Sequence, residues 1–128
     1  MVYGYNIVAG VTSQEIGDVG PNTDYIIAAQ GEVQTSYAAG LAKTYSGGGY
    51  TDWFLPSKDE LIKMQNNRDI ITTTALANGG GSFESHPKAY WSSSESSIDM
   101  VHGYYFGDCG GVMIGKNGNM AVRPVRYF

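Results

Sequence analysis

The sequence predicts an α+β fold, with helices early and short antiparallel strands late. Three observations predict it. Apolar residues at three-and-four spacing mark residues 33–45. Short β-rich runs separated by glycine and asparagine turns fill residues 89–126. Between them, residues 48–61 read as a glycine turn, a short apolar strand and the start of a capped helix. No internal repeat and no Gly/Ser linker divides the 128 residues, so residues 1–128 form one domain with a single core.

In chain order, Tyr3, Tyr5, Ile7 and Ala9 alternate and predict an edge or first strand over 2–9. Residues 10–20 are polar and loop-like. Pro21-Asn22-Thr23-Asp24 opens a short helix with Asn22 or Thr23 as cap, and Gly31 stops it. A second helix starts near Val33 or Thr35. Its buried face is Val33, Tyr37, Ala38, Leu41, Ala42 and Tyr45, and Gly47-Gly48-Gly49 ends it. Gly40 within that run costs about 1 kcal/mol against alanine.

The central stretch follows. Trp53 and Leu55 alternate with Phe54, which predicts one deeply buried face. Pro56 lacks an N–H and ends the strand. Ser57 and Glu60 have capping-box spacing, Leu61 and Met64 share a helix face, and the helix ends near Asn66-Asn67. Residues 68–88 carry no clear assignment: Ile70–Thr74 is β-branched, Gly79–Ser82 is loop, and His86-Pro87 is extended or a turn. Four strands then read as 89–93, 102–106, 111–114 and 120–126, with turns at 107–110 and 115–119.

Composition narrows the function classes. Charged residues are only 16% of the chain, while glycine (18) and tyrosine (10) are abundant. Tyrosine suits recognition, and equally it packs and hydrogen-bonds in cores. A net charge of −4 with eight Lys and Arg in no stripe argues against nucleic acid. Cys109 is the only cysteine, which rules out an intrachain disulfide or a multi-thiolate zinc site. No apolar run approaches the roughly 20 residues of a spanning helix, so direct membrane insertion is not expected. The start of the chain has no basic segment leading into an apolar one.

Three motifs in order, Gly-Gly-Tyr-Thr-Asp-Trp-Phe-Leu-Pro-Ser-Lys-Asp-Glu-Leu (48–61), Tyr-Trp-Ser-Ser-Ser-Glu (90–95) and Val-Arg-Pro-Val-Arg (122–126), resemble the bacterial and phage Lcl C-terminal domain family, DUF1566. The resemblance runs from about Asn22 to Phe128. It implies a C-type-lectin-like fold, with two or three helices flanking a twisted, mainly antiparallel sheet with long loops. Such domains sit at the tips of cell-surface or virion proteins, so the expected location is extracellular. In several relatives the region corresponding to 96–119 is the variable cassette of a diversity-generating retroelement. The ligand-binding residues expected on these loops are Ile98, Asp99, Met100, His102, Tyr104, Tyr105, Asp108, Val112, Met113, Asn117 and Asn119.

Chemistry is not expected. His86, His102 and Cys109 are the only residues for a Cys–His pair, and no orienting group or oxyanion hole is evident. The paired cysteines of the fold's oxidising enzyme branch are missing, and so are the Glu-Pro-Asn, Gln-Pro-Asp and Trp-Asn-Asp runs of its calcium-dependent lectins. Asp and Asn in glycine turns more often satisfy their own backbone. The expectation is no cofactor, no metal and no enzyme. Instead the chain reads as a display domain of a bacterial surface or phage tail protein that binds a surface protein or glycan. The alternative is a structural, oligomerising tip.

Several side chains carry two readings. Arg123 and Arg126 differ by an odd number of strand positions and should face opposite sides. One of them is placed to pair with Glu95 or Asp52. Trp91 reads as core, and of Tyr104 and Tyr105 one reads as core and one as exposed. Met100, Tyr105, Met113 and Met120 form either an adaptable surface or a methionine-filled core.

Overall fold

A computed structural model describes residues 3, 20–31, 34–84, 88–107 and 110–127. Among these, helices α1 (Gly20–Gln30), α2 (Ala38–Thr44), α3 (Lys58–Asn66) and α4 (Arg68–Ala77) precede strands β1 (Ala89–Glu95), β2 (Met100–Tyr105) and β3 (Gly110–Gly115). The strands form one antiparallel sheet in the order β1-β2-β3. The fold is α+β, with one helix more than expected.

The pleat of the sheet separates two apolar clusters. Ala89, Trp91, Val101 and Ile114 face α1 and α2, where Ile26, Tyr37, Ala38, Ala39 and Ala42 complete the main core. Tyr90 and Phe106 face the other way and meet Leu61 of α3. Strand β1 is buried along its whole length because helices cover both faces. The N-terminal strand expected over 2–9 lies outside the described residues except for Tyr3. That residue is buried in the main core and donates its N–H to Lys116 O at 3.0 Å.

The central stretch holds these layers together. Ser57 Oγ accepts from Glu60 N at 3.1 Å and Glu60 Oε1 accepts from Ser57 N at 2.9 Å, which completes the capping box. Phe54 and Val125 exchange both backbone hydrogen bonds, and Leu55 N donates to Thr23 Oγ1 at 2.9 Å. The expected strand is thus a single bridge. Phe54 and Leu55 are both buried, so the alternation does not hold; Trp53 is half-buried. Asn22 and Thr23 lie inside α1 rather than capping it. Their side chains are used across the fold instead, Asn22 Nδ2 reaching Ser93 Oγ at 3.5 Å.

The serine run 92–94 has a structural cause. Trp91 pairs with Gly103 but Glu95 with Val101, so β1 bulges in between. Hydroxyls satisfy the broken ladder. Ser92 Oγ donates to His102 O at 2.6 Å and accepts from Ser94 N at 3.1 Å, while Ser94 Oγ accepts from Lys58 N at 3.1 Å. Ser93 N donates to Pro56 O at 2.7 Å, tying the bulge to the start of α3.

Two further expectations are corrected, and the unassigned run 70–74 receives an element. Helix α2 is only two turns long and packs through Ala38, Ala39, Gly40 and Ala42, which leaves Leu41 and Tyr45 on the outside. The β-branched run 70–74 is helical, within α4. Asn67 ends α3 and precedes α4, and Gly79, at φ 79°, closes α4. Gly80 N reaches Ala75 O at 2.7 Å and Gly79 N reaches Leu76 O at 3.4 Å, the Schellman pattern. Tertiary setting and this stop signal outweigh the modest helix penalty of Ile and Thr. Residues 120–126 are not a strand: they make isolated bridges at Ala121 and Val125, and Pro124 between them offers no N–H.

Candidate functional site

Strands β2 and β3 sort the expected binding residues by their register. His102 lies opposite Met113, Met100 opposite Gly115 and Tyr104 opposite Gly111. Met100, His102, Tyr104 and Met113 therefore share one face. Gly111 and Gly115 carry no side chain there; the ring of Tyr104 lies over Gly110 and Gly111, and Asn117 Oδ1 lies over Gly115. Met113 is 41% exposed, while Met100 and His102 are half-buried. Tyr105 and Val112 sit on the opposite face and pack against the main core.

The soft group Met100, Tyr105, Met113 and Met120 is thus split. Tyr105 and Met120 belong with the core, Met100 and Met113 with the outer face. Neither Tyr104 nor Tyr105 is freely exposed, because Tyr104 leans on the Tyr90–Phe106 cluster. Asp108 and Cys109 lie outside the described residues, as does His86.

Ile98, Asp99, Asn117 and Asn119 occupy two turns at the end of the sheet where Met100 and Gly115 meet. All four are exposed. The turns are tied together by Lys116 N donating to Asp99 O at 2.9 Å. Asp99 Oδ1 accepts from Ser97 Oγ at 2.7 Å, and Ser97 Oγ accepts from Met100 N at 3.1 Å, so the first turn is internally braced. Beneath them Lys116 Nζ meets Glu95 Oε1 at 3.0 Å with both side chains buried. Tyr3 lies beside the pair, its ring centroid 5.6 Å from Nζ. Burial, and then the Glu95 charge, push its phenol well above the ordinary range. Gly107 is at the far end of the sheet, about 17 Å away at roughly 3.3 Å per residue. Gln65 holds Gly107 there through reciprocal bonds to its backbone.

The imidazole of His102 is held below its ordinary value of 6.5, first by burial and then by the Lys58 ammonium. The unfolded chain therefore binds more protons than the folded one in a window below pH 6.5, and stability falls as pH drops through it. We expect the His102 ring resonances to titrate below 6.5, and His102→Gln to flatten the fall in melting temperature between about pH 7.5 and 5. A titration at or above 6.5 would contradict the burial of this ring.

A second concave surface was not expected from the sequence. A groove of about 730 Å³ opens between α4, the 45–53 segment and residues 123–126. Met64, Ile71 and Ala75 supply apolar lining, with Tyr45, Tyr50 and Trp53 along it. Trp53 Nε1 donates to Gly47 O at 3.2 Å, and Tyr45 meets the Trp53 ring edge-on at 5.0 Å. Arg126 binds Asp52 through two bonds, at 2.8 and 3.1 Å, and stacks 3.7 Å from the Tyr50 centroid. That ion pair is one of the two expected, and it holds the Asp52 carboxyl below its ordinary value. Arg123 donates to Gly81 O at 3.2 Å and lies over Phe83. Both arginines line the same groove, contrary to strand parity, because the backbone around Pro124 is not a strand. Seven of the lining residues fall in the 48–61 and 122–126 motifs, which was the signal available.

Among the described residues, no three His, Cys, Asp or Glu side chains gather as metal ligands. No helix there is long and apolar enough to cross a membrane. Comparison with protein-family models, curated proteins and solved structures gives no match.

Proposed function

We propose that this chain is a non-catalytic ligand-binding module of C-type-lectin-like architecture. In this reading it is displayed by a bacterial surface or phage tail protein and takes a surface protein or glycan on the outer face of β2 and β3. One observation carries the reading: Met100, His102 and Met113 are contiguous on that face beside two glycines, and Ile98 follows in the adjoining turn. Methionine is polarizable and unbranched, so it adapts to varied partners. Asp99 and Asn117 bring hydrogen-bonding groups to the same end. The frame beneath is buried and braced by the serine bulge and the capping box. Exposed residues can therefore change without loss of the core.

The test is the double variant Ile98→Ser/Met113→Ser, screened beside the native chain on a glycan array and bacterial surface extracts. Stability should stay within about 1 kcal/mol, since both side chains are exposed rather than part of either apolar cluster. Ligands bound by the native chain should be lost by the variant. Retained binding would overturn this placement. An oligomeric native chain that dissociates in the variant would make the face a subunit contact, the assembly reading.

A further inference from the structure

The groove beneath Arg123 has a chemistry of its own. It shares no lining residue with the β2–β3 face, so it does not depend on the reading above. Its volume, about 730 Å³, is within the range of sites for small organic ligands. Apolar side chains from three separate segments converge on it: Trp53, Met64 and Ile71 with Ala75. The electrostatics are one-sided in a chain of net charge −4. Asp52 is the carboxylate that answers Arg126. Among the described residues Arg123 meets a carbonyl and an aromatic face, and no carboxylate. One positive charge at the rim of an aromatic, low-dielectric trough favours an anion. Gly81 lines it too with open space over its α-carbon, and side-chain-free backbone there lets a ligand approach closely.

We propose that this groove is a binding site for a small amphiphilic carboxylate, its flat apolar body against Trp53 and Ile71 and its carboxylate at Arg123. Binding is reversible and involves no bond making. The apolar body removes aromatic and aliphatic surface from water. The guanidinium supplies orientation, since a planar fork of N–H donors matches a carboxylate.

The probe is N-acetyl-tryptophan, with N-acetyl-tryptophanamide as its uncharged counterpart, each titrated into the ¹⁵N-labelled full chain. The acid should shift the indole N–H of Trp53 and the amides of Gly47, Gly80 and Gly81 saturably. The indole of fully buried Trp91 should stay in place as an internal reference. The acid should bind about fivefold more tightly than the amide, the worth of one unit-charge contact near the dielectric of water. Raising the salt to about 0.5 M should narrow that difference. Arg123→Gln should bring the acid down to the level of the amide. Equal binding of acid and amide by the native chain would overturn the proposal. So would shifts mapping away from Trp53, or none with the probe at about 10 mM. Because the acid–amide comparison uses the native chain, it decides the matter even where Arg123→Gln disturbs folding.

Discussion

Replacing Lys116 by methionine is expected to lower the free energy of unfolding by roughly 3–5 kcal/mol, the usual cost of stripping one partner from a buried ion pair. The ammonium is fully buried, Glu95 is nearly so, and Nζ–Oε1 is 3.0 Å. Without it a carboxylate faces the Tyr3 ring and the Tyr3 hydroxyl, which has no hydrogen-bond partner among the described residues. The pair joins the end of β1 to the turn after β3, so its loss also loosens the platform under Ile98 and Asn117. Urea denaturation of Lys116→Met beside Lys116→Met/Glu95→Leu separates the contributions. The second change removes the stranded charge and should recover a large part of the loss. A single variant within about 1 kcal/mol of the native chain would mean that water reaches the pair.

Trp91→Ala is expected to cost about 3–5 kcal/mol, a large share of the 5–15 kcal/mol that holds a domain together. The indole is fully buried between the sheet and the α1–α2 layer, and its ring centroid is 5.5 Å from that of Tyr3. The excavated volume cannot collapse easily, because β1 is fixed on one side by β2 and tied by its serines to Pro56 and Lys58. Trp53→Ala is the matched comparison. That indole is half-buried at the groove, and its removal opens existing concave space rather than a new cavity. Its cost should be clearly smaller. Equal losses for the two variants in urea would refute the assignment of Trp91 to the centre of the core and Trp53 to a surface site.

What could be read from the sequence was local. The capping box at Ser57 and Glu60, the stop at Gly31, the three late strands and the burial of Trp91 each depend on short-range chemistry or on a two-residue period. Helix α4 was hidden because its β-branched run favours strand when taken alone, whereas the signals that make it helical are the junction at Asn67 and the Gly79-Gly80 closure. Parity failed for Arg123 and Arg126 because it presumes a continuous strand, and Pro124 interrupts one. The binding face was legible in part. Alternation placed Tyr104 and Tyr105 on opposite sides, but only the pairing of β2 with the glycines of β3 shows which methionines stay near water. The groove was beyond reach, since residues from 45 to 126 meet there only once the chain has folded.

The Asp52–Arg126 clasp and the Phe54–Val125 bridge join positions more than seventy residues apart. In terms of chain entropy they close long loops, which is unfavourable until nearer contacts have shortened the effective span. The antiparallel hairpins of β1, β2 and β3 need no such help, since each pairs with its immediate neighbour in sequence. The two ends of the groove are therefore brought together downstream of the sheet in the order of assembly. Its shape reports that the chain has finished folding, not that it has begun.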